Sequence, residues 1–228
     1  MNAPTAHPNS LAGAPAPCTA CPALCVSRTQ IVAPTPNRFP VRCGLILAIG
    51  EAPGALEDAR GEGFVGRAGT TLDACLSRAG VPRAFYARAN IVRCRPPDNR
   101  KPAPAEIAAC LPKLAQAIAE IHPDVLLLVG VTAASVVLGA GSLARRIEMS
   151  RQSTWCDFSL AHPALRDALG TSGELARRGG IHAVPMPHTS ALAWNRSSPD
   201  GRRWSLIGQE QVDLAVKVAR DIGEHRAS

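Results

Sequence analysis

Four short apolar runs in the chain predict buried β-strands. Each is six or seven residues long and is built mainly from aliphatic residues, which is typical of strands covered on both faces of a parallel sheet. The runs are LILAIG at 45–50, ANIVRC at 89–94, DVLLLVG at 124–130 and IHAVPMP at 181–187.

Between these runs, apolar residues recur every three or four positions, as they do on one face of a helix. The predicted helices are 68–79, 105–121, 132–138 and 205–222. Alternating strands and helices form a parallel sheet with helices on both faces, so we expect one α/β domain over residues 18–228. Residues 1–17 are rich in Ala and Pro and predict a disordered lead. Residues 139–180 predict loops and short elements.

Three loops that follow predicted strands are candidates for a functional site, because ligands of parallel α/β sheets bind beyond the carboxyl ends of the strands. The loops are 51–69, 95–101 and 188–196, and each is polar or rich in Gly and Pro. The first contains Glu51 and Glu57 among several glycines. It matches neither a P-loop nor a dinucleotide fingerprint.

Asn90 and two histidines have both functional and structural interpretations. Asn90 interrupts an apolar run; its amide can read the donor and acceptor edge of a pyrimidine, or it can be satisfied within the core. His188 follows the fourth predicted strand and precedes small polar residues, which suits the lining of a site. A single histidine in such a position is nevertheless more often structural. His162, in the sequence AHPALR, is the second candidate.

The composition is that of a globular protein, with 46% hydrophobic and 19% charged residues. No apolar run reaches the length of about 18 residues that a membrane helix needs, and residues 1–17 lack the features of a secretory signal. We therefore expect a cytoplasmic protein with no membrane partner. The net charge is +7, and 22 of the 25 basic residues are Arg. Arg pairs well with phosphate, which favours a polyanionic partner, although a GC-rich genome produces the same bias.

Eight cysteines are many for a chain without an export signal, so metal or iron–sulfur ligation is a better interpretation than a disulfide scaffold. Cys18 and Cys21 form a Cys-x2-Cys pair that can bind one edge of a metal site. Cys94 and Cys110 form a wider pair, which favours a cluster over a zinc ribbon, but both can also be small buried hydrophobic residues. Cys25 remains an alternative ligand.

Three segments together resemble family 4 of the uracil–DNA glycosylase superfamily, the iron–sulfur enzymes of bacteria and archaea. They are GEAPGALED at 50–58, FVGRAG at 64–69 and NIVRCRPPDNR at 90–100. The resemblance covers roughly residues 18–139 and returns more weakly at 181–196. It implies a three-layer α/β/α sandwich with a four-stranded parallel central sheet. It also implies a [4Fe–4S] cluster, and the cysteines that match its ligands are Cys18, Cys21, Cys94 and Cys110.

The resemblance also implies a chemistry, in which uracil swings out of the DNA stack into a pocket before its glycosidic bond is hydrolysed. Phe64 then stacks on the base and Asn90 reads its polar edge. His188 faces O2, where negative charge develops in the transition state. Ala52 stands where better-known glycosylases of the superfamily carry an Asp that assists the attacking water.

Three further residues match family positions implicated in catalysis. We expect Glu57 and Asn99 to position the attacking water. Glu51 either takes part in catalysis or holds the shape of its loop. All three belong to the loops that follow the first two predicted strands.

The third motif departs from the family, because Thr189 follows the histidine where a proline is usual. The string HTSALAWNR at 188–196 is closer to the corresponding loop of other branches of the superfamily. By that resemblance, Leu192 wedges into the duplex where the base has left, and Arg196 contacts a phosphate.

The predicted function is a DNA-repair glycosylase that excises uracil from single- or double-stranded DNA, leaves an abasic site and so starts base-excision repair. We expect a monomer. Two alternatives stay open: a uracil-DNA binding or trapping protein of the same superfamily, and a glycosylase for another deaminated base such as hypoxanthine or xanthine. Trapping is disfavoured because the loop at 95–101 lacks the basic insert of that branch. An iron–sulfur redox protein would leave Asn90 and the glutamate loop unexplained.

Overall fold

The four predicted strands form one parallel sheet in the computed structural model, which describes residues 18–39, 41, 43–170 and 180–227. The predicted lead at 1–17 lies outside the described residues. The strands are β1 (Ile46–Gly50), β2 (Ala87–Asn90), β3 (Val125–Val129) and β4 (His182–Met186). Their order across the sheet is β2-β1-β3-β4.

The second strand lies earlier in the chain than the apolar run at 89–94 predicts, since β2 ends at Asn90. Beyond β2, the main-chain amides of Ile91 and Val92 still donate hydrogen bonds to the main chain at the end of β1, and both side chains are fully buried. The run therefore continues beside β1 as irregular buried chain. As a result, Asn90 stands at the carboxyl end of its strand and not in the middle of the core.

Helices cover both faces of the sheet, as the alternation predicts. The first layer contains α1 (Pro22–Ser27), α4 (Pro104–Ile121), α5 (Val131–Leu138) and α7 (Pro163–Gly170). The second layer contains α3 (Arg67–Arg78) and α9 (Trp204–Ala227). The remaining helices are α2 (Ala55–Arg60), α6 (Leu143–Gln152), which contacts β4, and α8 (Ala191–Trp194).

Each strand contributes to both cores, because successive side chains of a strand point to opposite faces. In β1, Leu47 and Ile49 pack in the first layer, whereas Ile46 and Ala48 pack in the second. Every residue of β1 and β3 is buried, and each large aliphatic side chain buried in this way contributes about 1.5–3 kcal/mol. The architecture is the expected three-layer α/β/α sandwich, and its rigid centre fixes the loops at the carboxyl ends of the strands.

Residues 139–180 contain more regular structure than the sequence analysis predicts. α6 begins after Ser142, whose hydroxyl oxygen accepts a hydrogen bond from the Arg145 amide at 3.3 Å, the arrangement of an N-cap. Ile147 is the only large apolar residue that α6 buries, and it lies within a charged segment that conceals the helical pattern. Residues 171–179 lie outside the described chain.

Among the residues that the structure describes, no helix is both long enough and apolar enough to cross a membrane.

Candidate functional site

Asn90 and Phe64 meet over the last residue of β1, at the carboxyl edge of the sheet. Gly50 pairs with Asn90 in the sheet register. A Cβ atom at Gly50 would lie 2.5 Å from Asn90 Oδ1 and 2.7 Å from Phe64 Cζ, so any larger residue would displace both groups. A flat apolar ring beside an amide that can both donate and accept suits a planar heterocycle with polar edges.

The backbone of Phe64 is held in an unusual conformation. Its φ angle is +59°, in the left-handed region that residues other than glycine seldom adopt. A Cβ atom at Gly69, in the first turn of α3, would lie 1.9 Å from the Phe64 carbonyl oxygen, so the loop packs directly on the helix backbone. Strain of this kind persists where the surroundings hold the chain in place, and it is common at functional sites.

Arg83 is the residue that braces this loop, and the sequence analysis did not single it out. One guanidinium nitrogen, Nη1, donates to the Phe64 carbonyl oxygen at 2.9 Å, and the other, Nη2, donates to the Gly63 carbonyl oxygen at 3.0 Å. The same guanidinium forms ion pairs with Glu62 at 2.7 Å and with Asp73 at 3.0 Å. No local motif marks Arg83, because all its partners on the loop lie about 20 positions earlier in the chain.

Glu57 closes the same loop from the inside. Its Oε1 accepts a hydrogen bond from the Gly66 amide at 2.7 Å, and its Oε2 accepts one from the Gly54 amide at 3.2 Å. The second bond belongs to a capping box at the start of α2. Both oxygens of this carboxylate therefore bind main chain, which gives Glu57 a loop-shaping position.

Glu51, after β1, is close enough to His188, after β4, to affect its pKa electrostatically. The hydroxyl of Thr132, in the first turn of α5, donates a short hydrogen bond to Glu51 Oε2. Thr132 is buried, and its hydroxyl holds the Glu51 carboxylate in position. A carboxylate, a hydroxyl and an imidazole thus meet where β1, β3 and β4 end. Thr132 stands two residues after a predicted strand, and this position is a signal that could have identified it.

The environment of His188 determines its protonation. Burial lowers its pKa below the ordinary value, against an opposing effect of the Glu51 carboxylate, so the imidazole is neutral at pH 7. The Ser190 amide donates to Nδ1 at 3.0 Å. Since Nδ1 accepts this bond, the proton of the neutral ring is on Nε2, which is left as a donor. Gly130 makes room for the ring, because a Cβ atom there would lie 3.2 Å from His188 Cδ2.

His162, the second candidate histidine, has structural contacts. Its Nδ1 accepts a hydrogen bond from the Ala164 amide at 3.2 Å at the start of α7, and its own amide donates to the Val136 carbonyl oxygen at 2.8 Å. These bonds connect α7 with α5. They belong to helix packing in the first layer, not to the loops at the strand ends.

Asn99 and Ala52, two predicted site residues, make their described contacts with Arg95 and with the core. Asn99 lies on an exposed turn with a φ angle of +54°, and its Oδ1 accepts a hydrogen bond from Arg95 Nε at 2.9 Å. This turn contacts α1, the helix that follows the first cysteine pair. Ala52 is half-buried and packs against the first core layer. Ala52 follows Glu51 directly in the chain, and no described hydrogen bond joins Asn99 to Glu51.

The loop after β4 presents an apolar side chain and a cation to solvent. Leu192, on α8, is 72% exposed. Arg196 follows α8 and is also exposed. Thr189 is buried, and its hydroxyl has no hydrogen-bond partner within the described chain.

The four cysteines predicted to be ligands line one cavity of about 160 Å³ between α1, the chain after β2 and α4. They are Cys18, Cys21, Cys94 and Cys110. Burial raises the pKa of the Cys110 thiol to about 11. Cys25 does not line the cavity; its thiol donates to the Cys18 carbonyl oxygen at 3.3 Å.

The charge and size of this cavity bear on what it can hold. Arg28, Arg93 and Lys113 also line it, and Arg28 Nη1 donates to Cys94 Sγ at 3.1 Å. Cations balance the negative charge of a group bound by thiolates. In the described part of the chain, no three Cys, His or acidic side chains converge closely enough for a single metal ion. A polynuclear cluster, whose thiolates bind separate metals around a larger body, does not require such convergence.

The cysteine segment is bonded to both loops of the site. Ser27 Oγ donates to the Arg95 carbonyl oxygen, in the loop after β2, at 2.7 Å. The Thr29 and Gln30 amides donate to the buried carboxylate of Asp58, on α2 in the loop after β1. A group held by the cysteines would therefore stabilise both loops.

Comparison with known proteins agrees with this geometry. The family model of the uracil DNA glycosylase superfamily matches residues 40–207. A type-4 uracil-DNA glycosylase of Thermotoga maritima is 45% identical over 200 residues, which cover 88% of this chain and 90% of the relative. Shorter matches are found to enzymes of the same name, from Pyrobaculum aerophilum (44% identity; 41% of this chain and 47% of the relative) and Archaeoglobus fulgidus (40% identity; 40% and 46%).

Proposed function

The chain belongs to the uracil DNA glycosylase superfamily, and from this we propose that it is a DNA-repair hydrolase that cleaves the N-glycosidic bond of uracil in DNA. The observation that carries the proposal is the meeting of Phe64 and Asn90 over Gly50. A base in a duplex is covered by its neighbours, so the target nucleotide must leave the stack to reach this pocket.

Selection of uracil is assigned to Asn90. The amide of an asparagine can donate to O4 of uracil and accept from N3–H. Cytosine presents the opposite pattern at these two atoms, with an amino group at C4 and an unprotonated N3. The Phe64 ring lies against the same space and supplies a stacking surface.

Departure of the base is assigned to His188. As the glycosidic bond breaks, the sugar gains oxocarbenium character and negative charge grows on the uracil ring. The Nε2–H group, fixed by the Ser190 amide on Nδ1, is the donor for O2 of the departing base. A preorganised donor of this kind contributes about 10²–10³ in rate.

Attack of water on C1′ is assigned to the carboxylate of Glu51. Thr132 occupies one of its oxygens, which leaves the other able to accept a proton from water. In this proposal Glu57 shapes the loop instead of contacting water, because both its oxygens bind main-chain amides. Asn99 likewise shapes the turn after β2, through its bond with Arg95.

Contact with the DNA strand is assigned to the loop after β4. The exposed side chain of Leu192 can fill the space that the flipped base leaves. Arg196, exposed two residues after α8, can pair with a phosphate.

A [4Fe–4S] cluster is the cofactor that the cysteine cavity supports. Cys18, Cys21, Cys94 and Cys110 would hold it, and Arg28 would balance its charge. When bound, the cluster supplies four cross-links that join α1, the chain after β2 and α4. Since α1 and the residues directly after it are bonded to both site loops, these cross-links would keep the loops in place.

The test is alkaline cleavage of a labelled single-stranded oligonucleotide that contains one uracil, after incubation with the purified protein. Cleavage at the uracil position supports a glycosylase, because only an abasic site is alkali-labile. A matched oligonucleotide with thymine in place of uracil is the control. If the uracil strand stays intact while the protein is folded and contains iron, the proposed activity is wrong.

A further inference from the structure

A cavity lined by four arginines lies on the other side of the loop that carries Phe64. Its volume is about 450 Å³, and it lies at the β2 edge of the sheet, where the main chain of Thr35 pairs with that of Arg88. The lining guanidinium groups belong to Arg38, Arg60, Arg83 and Arg88. Glu62 is the one carboxylate among the lining residues.

The positive charge of this cavity is not balanced. Arg88 is 3% exposed, and its Nε has no hydrogen-bond partner within the described chain. Its counter-charge is Glu62, at 3.4 Å, but Glu62 is closer to Arg83, at 2.7 Å. Burial, and then the like charge of Arg83, lower the pKa of Arg88. A buried cation that shares a single carboxylate is costly, and an anion in the cavity would reduce that cost.

The charges of the two outer arginines are not neutralised by an ion pair in the described residues. Arg38 and Arg60 are both exposed, and no hydrogen bond or ion pair of either guanidinium is found there. Arg38 is close enough to Glu62 to help Arg83 and Arg88 hold the pKa of that carboxyl below its ordinary value, against the opposing effect of burial. Glu62 is therefore ionised. Even when Asp73, which pairs with Arg83, is counted, four guanidinium groups are balanced by only two carboxylates.

The cavity shares a wall with the proposed base pocket. Glu62 is two residues before Phe64, and Arg88 is two residues before Asn90 in the same strand, which is about 7 Å at the rise of a β-strand. Arg83 lines the cavity and also bonds the Phe64 carbonyl oxygen. An anion in the cavity would thus lie within about one or two nucleotides of a base held between Phe64 and Asn90.

We propose that this cavity, which we call the arginine cavity, binds a backbone phosphate of the DNA strand next to the flipped nucleotide. Guanidinium groups bind phosphate oxygens through paired, charge-assisted hydrogen bonds, so the chemistry of the cavity fits a phosphodiester. The assignment rests on the proposed glycosylase function. It adds a contact on the β2 side of the pocket, opposite the loop after β4.

The test combines a double variant with neutral phosphates. Binding is measured by fluorescence anisotropy, with a single-stranded oligonucleotide whose 2′-fluoro-2′-deoxyuridine resists hydrolysis. Methylphosphonate replaces one phosphate at a time on either side of that nucleotide. We expect one replacement to weaken binding to the wild type about tenfold, the loss expected for one charge-assisted contact. The same replacement should weaken binding to the Arg38→Ala/Arg60→Ala variant less than about twofold, because that variant has already lost the contact.

The matched control is Arg78→Ala/Lys217→Ala. It removes two exposed positive charges that line a separate groove, formed by the end of α3 and by α9. It should keep the full response to the sensitive methylphosphonate. The salt slope of log Kd should fall by about 0.7 in the arginine-cavity variant only, the value for one phosphate of a single strand.

Three results would overturn the proposal. The first is that no single methylphosphonate weakens binding to the wild type, and the second is that the two double variants respond alike. The third is that inorganic phosphate occupies the arginine cavity while no methylphosphonate position couples to it. The third result identifies a site for a free anion. Failure of the proposed glycosylase function is a different outcome, because the wild-type protein would then leave uracil strands intact. Failure of the phosphate proposal alone leaves excision by the wild type in place.

Discussion

Arg83 Nη1 donates a hydrogen bond of 2.9 Å to the carbonyl oxygen of Phe64, a residue whose φ angle is +59°. The bond joins the chain before β2 to the loop after β1, and it holds the strained residue that carries the proposed stacking ring. Arg83 itself faces the loop main chain and two carboxylates. Its influence on the base pocket is therefore indirect, through the orientation of Phe64.

We predict that Arg83→Gln raises KM for a uracil oligonucleotide more than it lowers kcat, because the stacking surface is displaced while His188 is untouched. Loss of a partly buried ion pair should also lower the free energy of unfolding by about 1–3 kcal/mol. Steady-state kinetics and urea denaturation measure the two effects. Arg83→Lys keeps the charge without the planar fork and should recover stability more than KM. Equal losses in kcat for both variants would contradict a positioning role.

The elements that the sequence predicts best are those that depend on local pattern. The apolar runs place all four strands, and they put His188 directly after the fourth predicted strand. The role of Phe64, and the choice of base reading over core packing for Asn90, depended on the resemblance. The predicted bounds of β2 are wrong, because the strand ends at Asn90 while the buried apolar run continues beside β1 as irregular chain. α6 was not predicted because a single buried Ile147 among charged residues gives little periodicity.

Long-range contacts are what the sequence analysis could not provide. Thr132 is 81 positions from Glu51, and Arg28 is 66 positions from Cys94. Neither pair has a spacing that a motif could encode, since both depend on how the sheet is assembled. The roles expected for Glu57 and Asn99 came from the resemblance alone. Their contacts are local, with Gly54, Gly66 and Arg95, but they depend on the turn that each loop forms.

Thr132→Val should lower kcat about tenfold with little change in KM. The substitution keeps the shape of the side chain but removes the hydroxyl that holds Glu51, and a hydrogen bond to a charged group is worth about 1.5–3 kcal/mol. Single-turnover excision rates measure the effect. Thr132→Ser retains the hydroxyl and should stay within about threefold of the wild type. A Val variant with the wild-type rate would remove Glu51 from the water-activating role.

Asn90→Asp should reduce kcat/KM for uracil at least about a hundredfold. A carboxylate cannot donate to O4, and it places a negative charge against the oxygen that the amide is proposed to bind. Competition between uracil and cytosine oligonucleotides measures both activity and selectivity. Asn99→Asp, on the exposed turn, makes the same chemical change outside the pocket and serves as the control. An unchanged substrate profile in the Asn90 variant would exclude it from base recognition.

Stability should fall as the pH drops below about 6.5, in part because of His188. Its pKa in the folded protein is below the ordinary value, so between the two pKa values the unfolded chain binds more protons. The stability that the neutral ring contributes is fully present above the pKa that His188 has in the unfolded chain. It is lost as the pH falls through the lower pKa of the folded protein. His188→Gln should flatten the dependence of the urea midpoint on pH in this window. Burial also lowers the pKa of His182, so this residue contributes in the same direction and is tested by His182→Gln.

Excision should decline over the same window, because protonation of His188 places a second N–H against the Ser190 amide. The loop that fixes the ring would then lose its hydrogen bond. Rates at saturating substrate between pH 5.5 and 8, the range on either side of an ordinary histidine pKa of about 6.5, report this ionisation. A flat acid limb in the wild type, with the fold intact, would contradict the assignment of the neutral tautomer as the active form.

Cys110→Ser should abolish iron binding, whereas Cys25→Ser should retain it. Cys110 lines the cavity with the other three predicted ligands, but the Cys25 thiol is bonded to the Cys18 carbonyl oxygen outside it. Iron and sulfide analysis of protein purified without air, together with visible absorbance, measures occupancy independently of excision. Iron loss in the Cys25 variant would move one ligand to that position. Stoichiometric zinc without sulfide in the wild type would show that the site holds a single ion and not a cluster.

Because Ser27, Thr29 and Gln30 bond this segment to both site loops, iron-free protein should also unfold at a lower temperature and excise uracil more slowly than the iron-loaded form.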